Sequence, residues 1–141
     1  MGLITVNEAD LRGIGPVVNL RLAPCRAALQ AMERKGQPLP EPMDLKALVD
    51  TGASRSILQE SLVQTMRIFP VGVARMSTTL KSLTLAYEYY LDVELGTIHF
   101  TSVFIGAPLP DSTVQVLLGR DFLSHGVFHY DGKSSRFTLE L

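Results

Sequence analysis

Residues 71–105 limit the folds open to this chain more than any other part of the sequence. They are rich in β-branched and aromatic residues, which pack well on a pleated sheet and are weak helix formers. Gly96 interrupts this stretch where a tight turn would join two strands. We therefore expect β-hairpins here and a mainly β architecture.

Shorter strands and two or three short helices complete the predicted architecture. Ser56, with Gln59 three residues later, resembles a capping box and predicts that a helix begins at Ser56. Residues 37–42 are rich in proline and are expected to form a surface loop. The predicted strands are 17–22, 45–49, 114–118 and a terminal hairpin over 127–139, and the predicted helices are 24–34, 56–66 and 120–125.

Composition excludes several classes of function. The chain has 141 residues, and 13 Lys and Arg against 14 Asp and Glu leave a net charge of −1. This balance gives no electrostatic basis for binding nucleic acid or an anionic membrane. The single cysteine, Cys25, cannot form an intramolecular disulfide or a cysteine-rich metal site. With no leader pattern and no apolar run of about 20 residues, we expect a cytoplasmic domain without a metal or cofactor.

The motif Asp50-Thr51-Gly52 follows the apolar run at 45–49 and carries the most chemical information. The small residues Ala53 and Ser54 come next, so that backbone or a ligand can approach closely. One interpretation is a carboxylate presented at the end of a buried strand. The other is a turn in which Asp50 only bonds its own backbone two residues on. The motif alone leaves both open.

A second segment, Leu117-Leu118-Gly119-Arg120-Asp121, lies further along the chain. Together with residues 47–54, it resembles the retropepsin-like aspartic proteases, the single-lobed relatives of pepsin. The resemblance covers roughly residues 14 to 141. It implies one acid-protease domain over residues 1–141, built as a closed barrel-like sheet with a flap hairpin and short helices. The helix and proline-rich loop over 24–43 are then an insertion.

In that family each of two subunits contributes one Asp-Thr-Gly, so the resemblance implies a homodimer in which two copies of Asp50 face one water. Two carboxylates roughly 3 Å apart cannot both ionise cheaply and therefore share a proton. One accepts a proton from the water as it attacks a peptide carbonyl, and the other polarises the carbonyl oxygen. The implied activity is that of an aspartic endopeptidase acting on extended peptides with apolar side chains around the scissile bond.

The resemblance also implies roles for the residues around Asp50. Thr51 is expected to bond across the dimer axis, and Gly52 to let the substrate backbone come close. The flap is expected over residues 73–88, with its tip near 79–82. The expected substrate-binding residues are Ala53, Ser54, Ser77 and Thr78, and the expected structural residues near the site are Leu118, Gly119 and Arg120.

Some residues depart from the family pattern. Ser54 stands where retroviral members commonly have an acid that pairs with the arginine after the later glycine, which leaves Arg120 with Asp121 as its partner or with none. The flap tip has Leu80 and Lys81 in place of glycines. The alternative function is a non-catalytic peptide-binding or regulatory module that retains the fold. Two uses of residues 136–141 also stay open, either an interfacial sheet with a partner or the closure of a hairpin.

Overall fold

Ten strands and four short helices form the part of the chain that the computed structural model describes, residues 2–77, 83–109 and 113–141. The mainly β architecture predicted from the sequence is confirmed. The strands are β1 Leu3–Asn7, β2 Val17–Pro24, β3 Met43–Val49, β4 Ile57–Gln59, β5 Gly72–Ser77, β6 Leu83–Leu95, β7 Ile98–Ala107, β8 Val116–Leu118, β9 Val127–Asp131 and β10 Arg136–Glu140. The helices are α1 Leu11–Ile14, α2 Arg26–Arg34, α3 Ser61–Met66 and α4 Arg120–Leu123.

Six of the strands close into a barrel. The larger sheet has the order β2-β3-β8-β4-β7-β6-β5, and β2 also pairs with β6, which closes the ring before β5. Most neighbours are antiparallel, but β3 runs parallel to β8 and β4 runs parallel to β7. Strand β5 pairs with β6 only, so within the described residues it is the free edge of this sheet.

The barrel interior is filled by side chains that alternate along the strands. On β2 the inward residues are Val18, Leu20 and Leu22, all at most 3% exposed, and between them the chain presents polar Asn19 and Arg21 to solvent. Burying an aliphatic side chain fully contributes roughly 1.5–3 kcal/mol. The same period of two places Leu91, Val93 and Leu95 of β6 in this core.

The predicted turn at Gly96 is confirmed. The residue has φ of +60° between β6 and β7, a conformation that glycine adopts without steric cost. The hairpin of β5 and β6 covers most of the stretch expected to be the flap, pairing Gly72 with Glu88 through to Ser77 with Leu83. Thr78 and the expected tip at 79–82 lie outside the described residues.

The two ends of the chain meet in a second, three-stranded sheet with the order β1-β10-β9. Strand β10 is the middle strand, and its Phe137 and Leu139 are fully buried in the same core as the barrel residues. Of the two uses considered for residues 136–141, the structure has the hairpin closure. The free edges of this sheet in the described chain are therefore β1 and β9.

The predicted helix over 56–66 is wrong in its first half. Residues 57–59 form β4, with Leu58 fully buried in the barrel, and the helix begins only at Ser61. Ser56 does not cap a helix. Its buried hydroxyl donates to Oδ1 of Asp121 at 2.8 Å and accepts the N–H of Gly119 at 3.0 Å. Pairing of β4 with β7 and β8 thus overrides the local helix signal.

No helix in residues 2–77, 83–109 and 113–141 is long and apolar enough to cross a membrane.

The Ser56 hydrogen bonds give a prediction about stability. Ser56→Ala should lower the free energy of unfolding by about 1–3 kcal/mol, because it leaves the Gly119 N–H without its acceptor in a buried site. Urea unfolding followed by circular dichroism measures the change. Ser61→Ala, the same substitution at an exposed site in α3, should change stability by less than about 0.5 kcal/mol. Equal losses in the two variants would contradict the structural role of Ser56.

Candidate active site

Asp50 stands directly after β3, in the first residue of a tight turn. Its backbone N–H donates to the carbonyl oxygen of Leu118 at 2.9 Å, which ties the end of β3 to the end of β8. Its side-chain Oδ1 accepts the N–H of Gly52 at 2.9 Å. The local turn predicted as one interpretation is therefore present. The half-buried carboxylate also lines a cleft, so the two interpretations are compatible.

Glycine at two positions keeps this loop compact. A Cβ added at Gly52 would lie 3.1 Å from Oδ1 of Asp50 and would crowd the carboxylate. A Cβ added at Gly119 would lie 2.7 Å from both the carbonyl carbon and the oxygen of Arg55 and 2.9 Å from the oxygen of Ala53. Any side chain at residue 119 would therefore push the segment that ends β8 away from the loop that carries Asp50.

The cleft beside Asp50 has a volume of about 580 Å³. Its apolar lining comes from Ile57 of β4, Ile105 of β7, Leu117 of β8 and Met76 of β5, and so joins the barrel to the outlying hairpin. This size and mixture of apolar surface with a few polar groups are typical of a binding site. The other lining residues are Asp50, Gly52, Ala53, Ser54, Arg55, Arg75 and Ser77.

The expected substrate-binding residues Ala53, Ser54 and Ser77 therefore line the cleft with Asp50, and Thr78 lies outside the described residues. Thr51 lies next to Asp50 with an exposed side chain. Leu118 and Gly119 lie behind the loop, where Leu118 is fully buried. Sequence reasoning did not select Ile57, Arg75 or Ile105, because their relation to Asp50 depends on the pairing of strands that are distant in sequence.

From the sequence, Arg120 was expected to pair with Asp121 or to have no partner, and neither expectation is met. Its Nη1 donates to the carbonyl oxygen of Thr51 at 2.7 Å, so it bonds the turn itself rather than Asp121 or nothing. This contact does not require an acidic residue at position 54, because a backbone carbonyl supplies the acceptor. The backbone N–H of Arg120 also donates to the oxygen of Ala53 at 2.8 Å, which gives two contacts between α4 and the Asp50 loop.

Asp121 bonds the far side of the same loop. Its Oδ2 accepts the N–H of Ser56 at 2.9 Å, while its Oδ1 accepts the Ser56 hydroxyl and, at 2.8 Å, the N–H of Phe122. Nε of Arg55 lies 3.7 Å from Oδ2 of Asp121, and Nη2 of Arg55 donates to Oε2 of Glu88 at 3.3 Å. Arg55 thus connects α4 to the hairpin strand β6. In the sequence, only the segment Gly119-Arg120-Asp121 pointed to these contacts.

Asp50 is the one carboxylate among the described residues that line the cleft. Among the described residues, the two carboxyl groups with lowered pKa values are engaged elsewhere. A hydrogen bond from Arg21 holds the pKa of Asp44 below its usual value, and backbone and side-chain hydrogen bonds from Ser134 do the same for Asp131. Across residues 2–77, 83–109 and 113–141, His, Cys, Asp and Glu side chains form no group of three or more that could hold a metal ion.

Comparison with one solved structure supports the fold. The chain is similar to a retropepsin-like aspartic protease from Rickettsia conorii, with a TM-score of 0.55, 19% identity, and coverage of 98% of this chain and 90% of that chain. It is also similar to the protease of simian foamy virus (mac), with a TM-score of 0.49, 16% identity, and coverage of 77% of this chain and 92% of that chain. A search of curated protein sequences gives no match.

A family profile gives the assignment at sequence level. The family described as "gag-polyprotein putative aspartyl protease" matches residues 42–125, a range that includes Asp50, the hairpin of β5 and β6, and the segment from Leu117 to Asp121. This match covers more than half of the chain and agrees with the closed barrel and with the similarity to the Rickettsia conorii structure. The chain therefore belongs to the retropepsin-like gag-polyprotein aspartyl protease family.

Proposed function

We propose that this chain is an aspartic endopeptidase that acts as a homodimer, with Asp50 from each copy forming the catalytic pair. One observation carries the proposal. Asp50 is the one carboxylate among the described residues of the cleft, whereas the aspartic-protease mechanism uses two carboxyl groups that share a proton. A second copy of the chain supplies the second carboxyl group by symmetry.

The chemistry follows from placing two carboxyl groups around one water. The ionised Asp50 accepts a proton from the water, whose oxygen attacks the peptide carbonyl carbon. The protonated Asp50 of the partner subunit donates a hydrogen bond to the carbonyl oxygen, which becomes the hydroxyl of a tetrahedral intermediate. Transfer of a proton to the amide nitrogen then lets the C–N bond break. No covalent intermediate with the protein and no cofactor is involved.

The contacts of the loop support this use of Asp50. The hydrogen bonds from Arg120 to the oxygen of Thr51 and from Asp50 to the oxygen of Leu118 fix the loop from two sides. The Thr51 side chain is exposed and has no bonding partner among the described residues of its own chain. In the proposed dimer this hydroxyl bonds to Thr51 of the partner subunit and holds the two loops in register.

The cleft fits an extended peptide. Ile57, Ile105 and Leu117 form an apolar floor for apolar side chains near the scissile bond. Within the described residues strand β5 has a free edge, to which a peptide can add as a further strand through backbone hydrogen bonds. The free edge also supports the alternative function, a module that binds peptides without cleaving them, because strand addition does not depend on a second carboxylate.

In the described chain, β1 and β9 each have one unpaired edge to which a second copy can bind. Strand β10 is paired on both edges, so the three-stranded sheet offers β1 and β9 to a partner. Both strands expose apolar side chains, with Leu3 67% exposed on β1 and Val127 61% exposed on β9. Pairing at either edge extends the sheet across the dimer and removes an exposed strand edge from solvent.

Asp50→Asn should abolish cleavage. Loss of the carboxylate removes both the base and the acid of the proposed pair, and kcat should fall at least about 100-fold. The measurement is mass-spectrometric profiling of a diverse peptide library between about pH 4 and pH 7. Asp92→Asn, the same change on β6 outside the cleft, is the matched control and should leave activity intact. Equal cleavage by wild type and Asp50→Asn would contradict the proposal.

Mixing wild type with a variant tests whether two copies of the chain share one active site. Adding inactive Asp50→Asn protein to a fixed amount of wild type should lower the rate, because mixed dimers carry one carboxylate only. Folded Asp92→Asn protein added at the same concentration should raise the cleavage rate. Specific activity of wild type alone should increase with protein concentration. Binding of peptides without cleavage at any concentration would favour the non-catalytic module.

A further inference from the structure

Two arginines, Arg55 and Arg75, line the same cleft as Asp50, and their surroundings differ. Arg55 is already held by two acids, with Glu88 at 3.3 Å and Asp121 at 3.7 Å from its guanidinium nitrogens. These contacts are partly buried, with the Glu88 and Asp121 side chains 23% and 27% exposed. The charge of Arg55 is therefore compensated within the chain.

Arg75 has no such compensation in the part of the chain that the structure describes. It lies on β5, opposite Leu85 of β6, and is exposed. Among residues 2–77, 83–109 and 113–141 no carboxylate lies within 4.0 Å of its guanidinium, and it makes no side-chain hydrogen bond there. The cleft thus has an uncompensated cation on its hairpin side and an apolar floor on its barrel side.

We propose that Arg75 is a specificity-determining residue that selects peptides with a glutamate or aspartate side chain beside the apolar residues seated on the floor. This inference rests on the proposed function, since it concerns the substrate of the same cleft. A guanidinium binds a carboxylate through two parallel hydrogen bonds. A peptide that displaces water from the cleft also lowers the local dielectric and strengthens this pair.

The two-fold symmetry of the proposed dimer specifies the peptide positions at which an acidic residue is preferred. A two-fold dimer carries one Arg75 in each half of its cleft, so each side of the scissile bond meets the same cation. The preference for an acidic residue should therefore occur at two peptide positions, at equal distances on either side of the cleaved bond. A preference on one side only would not follow from Arg75.

The test uses peptides with a central Phe-Phe pair in which each flanking position carries Glu, Gln or Lys in turn. For wild type, kcat/KM should be about 3- to 10-fold higher with Glu than with Gln at the two symmetric positions, as expected for a partly exposed ion pair. Arg75→Gln should remove this ratio, and Arg75→Glu should favour Lys. The ratio in wild type should also shrink as salt concentration rises, since salt screens the pair.

Arg26→Glu is the matched control. It makes the same charge change at an exposed residue outside the cleft, and an acid in the first turn of α2 suits the helix dipole. The Glu-to-Gln ratio should keep its wild-type value in this variant. Loss of the ratio in Arg26→Glu as well would assign it to net charge and overturn the role of Arg75.

A second measurement separates the inference from the proposed function. Binding of fluorescent Glu and Gln peptides to the Asp50→Asn protein, followed by polarisation, needs no cleavage. If wild type cleaves peptides without preferring Glu, the role of Arg75 is overturned and the proposed protease function stands. Glu-selective binding that depends on Arg75, with no cleavage by wild type, overturns the protease and keeps the inference. Binding without selectivity in a protein that does not cleave overturns both.

Discussion

The hydrogen bonds between Ser56 and Asp121 hold together two segments that are far apart in the sequence. One segment carries Asp50 from β3 towards β4, and the other leads from β8 into α4. The two cross so closely that Gly119 has no room for a side chain against Arg55. If this crossing opened, Arg120 would lose its contact with Thr51, and the turn that presents the Asp50 carboxylate would lose its support.

The barrel explains why a carboxylate can be presented at this point at all. Aspartate is unfavourable inside a strand, but the end of β3 is fixed by its parallel pairing with β8, and Asp50 is the first residue beyond it. The apolar residues that close the barrel therefore set the position of a charged group at its rim. The same closure leaves β5 outside the ring, where it forms one wall of the cleft without contributing to the barrel.

Much of the fold could be predicted from local patterns. Apolar residues set among polar ones marked β2, the β-branched and aromatic residues of 71–105 marked β6, and Gly96 marked the turn between β6 and β7. These features depend on neighbouring residues alone. The helix predicted from Ser56 failed because Ser56 takes its partners from Gly119 and Asp121, which no local window contains. Strand β1 was not predicted, although Ile4, Thr5 and Val6 are β-branched, and its partner is distant in the sequence.

In the candidate site, too, some features could be predicted from the sequence and others could not. Asp50 could be singled out because a motif and its preceding apolar run are contiguous. The contact of Arg120 with a carbonyl oxygen could not be predicted, since every residue offers that acceptor and only the fold selects Thr51. Arg55 and Arg75 look alike in the sequence, and only their neighbours in space distinguish them: two acids compensate Arg55, and none within the described residues compensates Arg75.

The pairing of β1 with β10 has a consequence for how the protein is made. Strand β1 is made before the barrel strands, yet its only partner among the described strands, β10, is made after all of them. Throughout synthesis of the barrel, β1 remains an unpaired strand with apolar residues, the kind of segment that other chains can capture. Completion of the three-stranded sheet therefore has to wait until β10 has been made.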